Sequence, residues 1–322
     1  MIFWEVSCDF LIIFELASAL RKLKPDILHT HSSKAGIVGR MAGWLAQVPV
    51  VIHTYHGFGF NHRQKPWTRG VFVFLEKWVS RLSTKLIFVS KSNQLEAAQK
   101  GIGRREQYLL FRSGVPLKII IDEAKNTNKI RFKNELHLKE NNRIVLTIGA
   151  FKPQKNLGDF IDLVNHVSSQ MVNVDFLVVG DGEMRPEIEK KIKGAGLESR
   201  VRLLGWRRDV PALLSIADVF VLTSLWEGLP RSLVEALAVG VPCVCYATDG
   251  VTDLLQTDTR MLISQGDVES LTRAVLKILG DKIGAASLVQ EHQKFIGREF
   301  DIDYMVKQQG ELYIKLLKTS QT

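Results

Sequence analysis

The stretch LTSLWEGLPRSLVEALAVGVPCVCYATDG, residues 222–250, has the pattern of a strand end, a loop, a helix and a second strand in close succession. The first apolar run closes near Thr223, and Pro230 suits the first position of a helix predicted over 230–239. Core-facing positions of this helix recur every three to four residues, at Leu233, Ala236 and Leu237. This order is typical of a parallel sheet covered by helices.

The same alternation of short β-branched runs and amphipathic stretches continues along almost the whole chain. Strands of a first lobe are predicted at 26–29, 49–54, 86–90 and 107–111. Strands of a second lobe are predicted at 143–149, 174–180, 201–205, 219–223, 241–246 and 261–263. The expected organisation is an N-terminal lobe over 1–120, a polar linker over 121–140, a second lobe over 141–300, and a helix over 301–322 that crosses back to the first lobe.

Length and charge exclude several classes of protein. A chain of 322 residues with 46% apolar residues is long enough for two ordinary domains, which excludes a disordered chain or a single small module. The net charge is +9, and residues 1–125 hold 18 Lys and Arg against 9 Asp and Glu, whereas residues 126–322 hold 25 against 25. A nucleic-acid-binding protein would spread or stripe its positive charge, so we expect no nucleic-acid partner. One basic lobe instead suits an anionic surface or acceptor.

Cysteines and hydropathy indicate where the protein works. The three cysteines, Cys8, Cys243 and Cys245, are too few for a disulfide framework and are not spaced as metal ligands. The N-terminal segment resembles a secretory signal but lacks a basic start and a clear cleavage site. No run approaches the roughly 18–20 apolar residues of a membrane span. These features predict a cytoplasmic protein, and the basic lobe predicts peripheral association with the inner face of the cell membrane.

The segment 222–250 resembles the E-x7-E motif of the retaining glycosyltransferases of family 4, with Glu227 in the loop and Glu235 in the helix. Other segments agree with that family in their order along the chain: PDILHTH at 25–31, HGF at 56–58, TIGAFKPQKNLGDFI at 147–161, LVVGDGEMRPEIE at 177–189 and RLLGWRRDVPALLSIADVFVLTS at 202–224. The resemblance implies an α/β protein of GT-B architecture, in which two Rossmann-like lobes face a cleft.

The resemblance also implies which residues act on the transferring sugar, namely Glu227, His56 and Lys155. Lys155 and the backbone amides of Arg231 and Ser232 would stabilise the leaving diphosphate without a metal ion. Retention in this family is explained by attack from the front face, with a diphosphate oxygen taking the acceptor proton. Neither Glu227 nor Glu235 is therefore expected to act as a glycosidase-type nucleophile.

The donor is expected to bind around the start of the helix, where free N–H groups and the helix dipole favour a diphosphate. The expected donor-binding residues are Glu235, Gly228, Leu229, Arg231, Ser232, Lys152, Gly182 and Trp206. Glu235 would accept hydrogen bonds from the ribose hydroxyls. Family members often carry an arginine where this chain has Ala150, and Lys152 is the nearest cation. The resemblance implies no cofactor and no metal.

Taken as a member of that family, the chain would be a retaining hexosyltransferase. It would move a sugar from a nucleotide diphosphate donor, with UDP favoured, to a polysaccharide or a polyprenyl-diphosphate-linked oligosaccharide. Two alternatives stay open: a UDP-sugar epimerase of similar two-lobe shape, and an inactive nucleotide-sugar-binding fragment. The second arises because full-length relatives have further βα units before PDILHTH. The N-terminal lobe is thus expected to be incomplete, whether the start is misplaced, the chain is a fragment or something else completes the lobe.

Two features of the first lobe also allow two interpretations. His29 and His31 alternate along a strand and so share a face, but a zinc site would need further ligands, and cleft-lining histidines are favoured. A segment rich in aromatic and basic residues suits either a membrane-surface helix or a lobe helix with a solvated face. Its residues are Trp67, Phe72, Phe74 and Trp78 with Arg63, Lys65, Arg69, Lys77 and Arg81.

Overall fold

The computed structural model describes residues 2–61, 63–255 and 260–320. The chain divides into two compact units. The first unit comprises Met1–Ser113 and Asp303–Thr322, and the second comprises Gly114–Ile302. Each unit is built around one parallel sheet.

Ten strands form the two sheets. In the first unit these are β1 (Ile27–His31), β2 (Val50–Tyr55), β3 (Lys85–Phe88) and β4 (Tyr108–Leu110), in the order β1-β2-β3-β4. In the second they are β5 (Arg143–Ile148), β6 (Val174–Val179), β7 (Val201–Leu203), β8 (Val219–Leu222), β9 (Cys243–Tyr246) and β10 (Leu262–Ile263), in the order β10-β9-β8-β5-β6-β7. All named pairings are parallel. Each strand lies within two residues of its predicted bounds.

Helices follow most strands. They are α1 (Ile2–Leu23), α2 (Ser33–Leu45), α3 (Pro66–Val79), α4 (Lys91–Lys100), α5 (Leu117–Asn126), α6 (Lys129–Glu135), α7 (Leu157–Ser168), α8 (Arg185–Gly194), α9 (Val210–Ile216), α10 (Arg231–Val239), α11 (Asp249–Leu255), α12 (Val268–Gly280), α13 (Lys282–Gln293) and α14 (Ile302–Ser320). The alternation of parallel strands with helices confirms the prediction of two Rossmann-like α/β lobes.

The core of the first unit depends on both ends of the chain. On α1, Ile13, Ala17 and Leu20 recur at helical spacing and are buried against Ala42 of α2. At the other end of the chain, α14 packs against β2 and β3. That cluster contains Leu312 and Leu316 with Val50, Ile52 and Ile87.

The segment for which the sequence suggests a linker, 121–140, contains the end of α5 and all of α6. On α5, Ile120 and Ala124 are four residues apart and both buried, and α5 packs against α9. The lysines and asparagines of α5 lie on the opposite, solvated side of the helix. Composition alone therefore suggests a linker in this segment.

The described side chains also locate two of the three cysteines. Cys243 and Cys245 are buried, unbonded thiols on β9, as their apolar surroundings predict, whereas the side chain of Cys8 lies outside the described ones. Within residues 2–61, 63–255 and 260–320, no helix combines the length and the apolarity needed to cross a bilayer.

Candidate functional site

The strand order of the second unit creates a switch point between β5 and β8. From β5 the chain proceeds to β6 and β7 on one side, and from β8 to β9 and β10 on the other. The loops after β5 and β8 therefore diverge at the carboxyl edge, which is where open parallel sheets bind ligands. The predicted residues Lys155 and Glu227 lie in these two loops.

Lys155 and Glu227 form an ion pair at this edge. The Nζ of Lys155 lies 2.5 Å from Oε1 of Glu227, and the two side chains are 17% and 8% exposed. The lysine stem crosses Gly149, where a Cβ would lie 3.1 Å from its Cε. A residue larger than glycine would push the lysine away from its partner. The two opposite charges neutralise each other, and part of the Lys155 side chain stays open to solvent.

Two glutamines that the sequence analysis misses brace the loop carrying Glu227. The backbone carbonyl of Gln154 accepts from the N–H of Leu225 at 2.8 Å. The side-chain amide of Gln154 donates to the carbonyl of Trp226 at 2.7 Å. Gln265, which follows β10, donates to the carbonyl of Leu225 at 2.8 Å. The signal was available, because the ends of parallel strands share an edge and both glutamines follow strands.

Helix α10 starts beside the same ion pair. Pro230 precedes the helix as its N-cap residue with a ψ of 103°, so the prediction that it occupies the first helical position is wrong by one residue. The first amides of α10, those of Arg231 and Ser232, have no intrahelical acceptor, and a proline side chain cannot cap them. Ser232 Oγ donates to the carbonyl of Ile148 at 3.3 Å, which holds this first turn against the end of β5.

Glu235 lies on the second turn of α10 and is half-buried. Burial raises the pKa of its carboxyl group, and the positive charge of Arg231 opposes this. Before the helix, Gly228 and Leu229 are buried, and the Gly228 carbonyl approaches Gly250 so closely that a Cβ on Gly250 would overlap it. The segment between Glu227 and Glu235 is thus packed tightly against Gly250.

The remaining predicted donor-site residues lie around the ends of β5, β6 and β7. Gly182 has a φ of 154°, and a Cβ there would lie 2.7 Å from the carbonyl oxygen of Phe151, so the turn after β6 packs on the turn after β5. Lys152 is exposed in the turn after β5. Trp206, after β7, is 71% exposed and follows Gly205, which pairs with Gly180.

In the first unit, three histidines form a row at the carboxyl ends of β1 and β2. We call His29, His31 and His56 the histidine row. His29 and His31 stack with ring centroids 4.3 Å apart, and Nδ1 of His31 lies 3.0 Å from Nε2 of His56. The prediction that His29 and His31 share one face of a strand is confirmed.

The pKa values of all three histidines in the row are lowered. Burial, followed by the neighbouring His31 and His56, lowers the pKa of His29 to about 4. Burial also lowers the pKa of His31 and of His56. Among the described residues, no cluster of three or more His, Cys, Asp or Glu has an arrangement suited to a metal ion. The ring nitrogens that face each other instead share a hydrogen bond.

Family models cover both parts of the chain. Residues 128–296 match the model of the glycosyl transferases group 1, and residues 8–114 match that of the glycosyl transferase 4-like domain. The chain belongs to the glycosyl transferases group 1 family. The predicted class of enzyme is therefore confirmed as a glycosyltransferase, and the epimerase alternative finds no support.

This group 1 glycosyltransferase has relatives among bacterial enzymes. It is 34% identical over 283 residues to the UDP-Gal:alpha-D-GlcNAc-diphosphoundecaprenol alpha-1,3-galactosyltransferase of Escherichia coli, a match that covers 85% of this chain and 72% of that enzyme. It is 22% identical over 316 residues to the capsular polysaccharide biosynthesis glycosyltransferase CapM of Staphylococcus aureus, covering 97% and 83% of the two chains.

Solved structures show the same fold. The crystal structure of Anabaena HepE in complex with UDP and glucose superposes with a TM-score of 0.79 at 22% identity, covering 94% of this chain and 81% of HepE. Sucrose-phosphate synthase from Thermosynechococcus elongatus superposes with a TM-score of 0.77 at 21% identity, covering 95% and 77%. At these identities the likeness shows the fold alone, and it agrees with the predicted GT-B architecture.

Proposed function

We propose that this glycosyltransferase moves a sugar from a UDP-linked donor, with retention of anomeric configuration, to a lipid-linked oligosaccharide or polysaccharide. The observation that carries the proposal is the Lys155–Glu227 pair beside the uncapped start of α10, at the switch point of a parallel sheet. Such a place offers one cation and a set of amides to one anion.

The second unit would bind the donor. Its diphosphate would lie against the amides of Arg231 and Ser232, with Lys155 stabilising the negative charge that develops as the glycosidic bond breaks. These groups supply the positive charge that a metal ion would otherwise provide. Lys152 and the exposed Gly182 would border the phosphates, and Trp206 would lie near the base.

The two glutamates would serve different parts of the donor. Glu235, half-buried on α10, would accept hydrogen bonds from the ribose hydroxyls, while Glu227, together with the backbone of Gly228 and Leu229, would hold the sugar hydroxyls. In the absence of donor Glu227 pairs with Lys155. Its proposed role in holding sugar hydroxyls agrees with front-face transfer, in which a diphosphate oxygen takes the acceptor proton.

The first unit would receive the acceptor. The Escherichia coli relative acts, by its name, on GlcNAc linked to diphosphoundecaprenol, and the HepE crystals contain UDP with glucose or UDP-glucose. We extend both chemistries to this chain: a UDP-sugar as donor and a polyprenyl-diphosphate-linked glycan as acceptor, with His56 contacting the reacting sugar.

An anionic membrane surface is the proposed place of action. On α3, four large apolar side chains lie on one stripe and are exposed by 42–68%: Trp67, Val71, Phe74 and Trp78. We call these four residues the apolar stripe. Exposed cations flank it along the chain at Arg63, Lys65, Lys77 and Arg81. An apolar stripe between cations is typical of helices that lie in the interface of an anionic bilayer. The solvated-face interpretation does not account for four exposed apolar side chains.

The decisive experiment incubates the protein with polyprenyl-diphosphate-linked GlcNAc and a panel of UDP-, GDP- and ADP-sugars. We expect one UDP-sugar to be consumed only when the lipid acceptor is present, and the product to keep the α configuration of the donor in its NMR spectrum. Glu235→Gln should weaken binding of that donor, while Glu187→Gln, an exposed carboxylate on α8, should not. Consumption of a GDP-sugar, an inverted product, or donor turnover without acceptor would contradict the proposal.

A further inference from the structure

The C-terminal helix α14 reaches the histidine row through two polar side chains. The hydroxyl of Tyr313 lies 2.5 Å from Nδ1 of His29, and the amide nitrogen of Gln309 lies 2.9 Å from the same atom. Gln309 also donates to the Tyr313 hydroxyl at 2.6 Å. Gln309 and Tyr313, which are 280 and 284 positions from His29 in the sequence, thus both contact one nitrogen of its ring.

These contacts favour one tautomer of His29. A side-chain amide nitrogen donates, so Nδ1 of His29, which faces the amide nitrogen of Gln309, accepts and carries no proton. The Tyr313 hydroxyl accepts from Gln309 and donates to Nδ1, whose single lone pair is shared between the two hydrogen-bond donors. The proton of the neutral ring is then on Nε2, which lies 2.7 Å from Oγ1 of Thr54 and donates to it. The ring is held from both ends in one orientation.

The held ring supports the other two histidines. His31 stacks on His29 with an interplanar angle of 29°, and His31 in turn hydrogen-bonds His56 at 3.0 Å. His31 and His56 are the exposed members of the histidine row. Packing keeps α14 in place, because Leu312 and Leu316 are buried among residues of β2 and β3, and Tyr313 packs against the same cluster.

We infer that Gln309 and Tyr313 are positioning residues that hold the histidine row in one tautomer and orientation. The inference rests on the proposed function only for its effect on transfer, since it gives His56 a fixed ring to contact the sugar. Neither residue touches substrate in this scheme. They act through His29 and His31, in the way that the hydrogen bond at one ring nitrogen sets the state of the other.

The test removes the two hydrogen-bond donors to His29 and measures the tautomers of the histidine rings. In the double variant Tyr313→Phe with Gln309→Leu, Nδ1 of His29 loses both donors while most of the side-chain volume stays. Nitrogen-15 NMR of histidine-labelled protein should show His29 protonated at Nε2 in the wild type and a mixture of tautomers in the double variant, with shifted His56 resonances. The single Tyr313→Phe variant keeps the Gln309 donor and should show a smaller change.

Kinetics separate positioning from packing. In the double variant we expect kcat to fall about tenfold while KM for the donor changes much less, because the proposed diphosphate and ribose contacts lie on α10 and in the loop after β5. Leu316→Ala, which weakens the packing of α14, should lower the melting temperature but leave the His29 tautomer as in the wild type. Ile314→Ala, at an exposed neighbour that is 58% accessible, should change neither.

Two results would overturn the inference: an unchanged His29 tautomer in the double variant, or a changed tautomer with unshifted His56 resonances. An unchanged kcat alongside shifted resonances would overturn the positioning role in catalysis. If the wild type transfers no sugar from any donor, the proposed function fails, while the NMR measurements still decide whether α14 holds the histidine row.

Discussion

The ion pairs Arg40–Glu76 of the first unit and Lys155–Glu227 of the second differ in what surrounds them. In the first pair Arg40 and Glu76 lie 2.8 Å apart and are 0% and 2% exposed. Arg40 also donates to the Gly36 carbonyl and to the Tyr55 hydroxyl, and Tyr55 donates to Glu76 at 2.7 Å. These hydrogen bonds all end on the protein itself, so the pair is sealed from solvent.

The Lys155–Glu227 pair of the second unit is built differently. Lys155 is more exposed than either member of the first pair, and its ammonium has one strong partner, the Glu227 carboxylate. Its other hydrogen-bonding directions stay available at the edge of the sheet where α10 begins. The sealed pair holds α2 against α3, whereas the proposed function requires the open pair to exchange its carboxylate for a phosphate. In that proposal the contrast is between a structural charge and a binding charge within one chain.

The largest effect should come from breaking the sealed pair. Arg40→Met leaves the Glu76 carboxylate buried without a cation, so we expect the free energy of unfolding to fall by about 4 kcal/mol. Urea denaturation followed by circular dichroism measures it. Arg131→Met, which removes an exposed partner of Glu135, is the matched control and should cost about 0.5 kcal/mol or less. Equal losses in the two variants would show that the Arg40 pair is not sealed in solution.

The open pair should affect turnover more than stability. Lys155→Met should lower kcat/KM about a hundredfold, because one preorganised donor to the leaving diphosphate is lost. Its unfolding midpoint should shift less than that of Arg40→Met, since the Lys155–Glu227 pair is less completely buried than the Arg40–Glu76 pair. Lys191→Met serves as control, since the Lys191 ammonium pairs with Asp162 at 2.7 Å and not with Glu227. Wild-type turnover in the Lys155 variant would remove the difference between the two pairs.

The smallest effect concerns the surface of the first unit. Phe74→Ser should weaken binding to phosphatidylglycerol vesicles about tenfold, as expected when roughly 1.5 kcal/mol of apolar burial is lost, without a change in stability. Sedimentation with vesicles measures it. Val306→Ser changes an apolar residue of α14 that is 57% exposed and off the apolar stripe, so its binding should be unchanged. Equal binding by the two variants would leave the apolar stripe without a membrane role.

Local patterns in the sequence predict most of the fold. All ten strands are found because β-branched runs bounded by turn residues are visible in short windows, and the helix after Pro230 is found from its spacing. One error is local as well: Pro230 suits the first helical position, but the helix begins one residue later. The polar side of α5 also hides Ile120 and Ala124, which are buried.

The site is predictable only where contacts are close in sequence or follow from strand order. Glu227 and Glu235 are eight residues apart, and Lys155 is linked to them by the resemblance of the chain to its family. The contact of Tyr313 with His29 joins residues 284 positions apart, and no short-range pattern encodes which face α14 turns toward β1. Packing of Leu312 and Leu316 decides that, and packing is not visible in a window of sequence.

The placement of α14 also sets an order for synthesis on the ribosome. The second unit is continuous in sequence, so all of its strands have been made by the time residue 302 is added. The first unit, although it is translated first, waits for the last twenty residues before the apolar surface of β2 and β3 is covered. Until α14 has been made, the chain lacks the residues that cover this sheet face and those that hydrogen-bond His29.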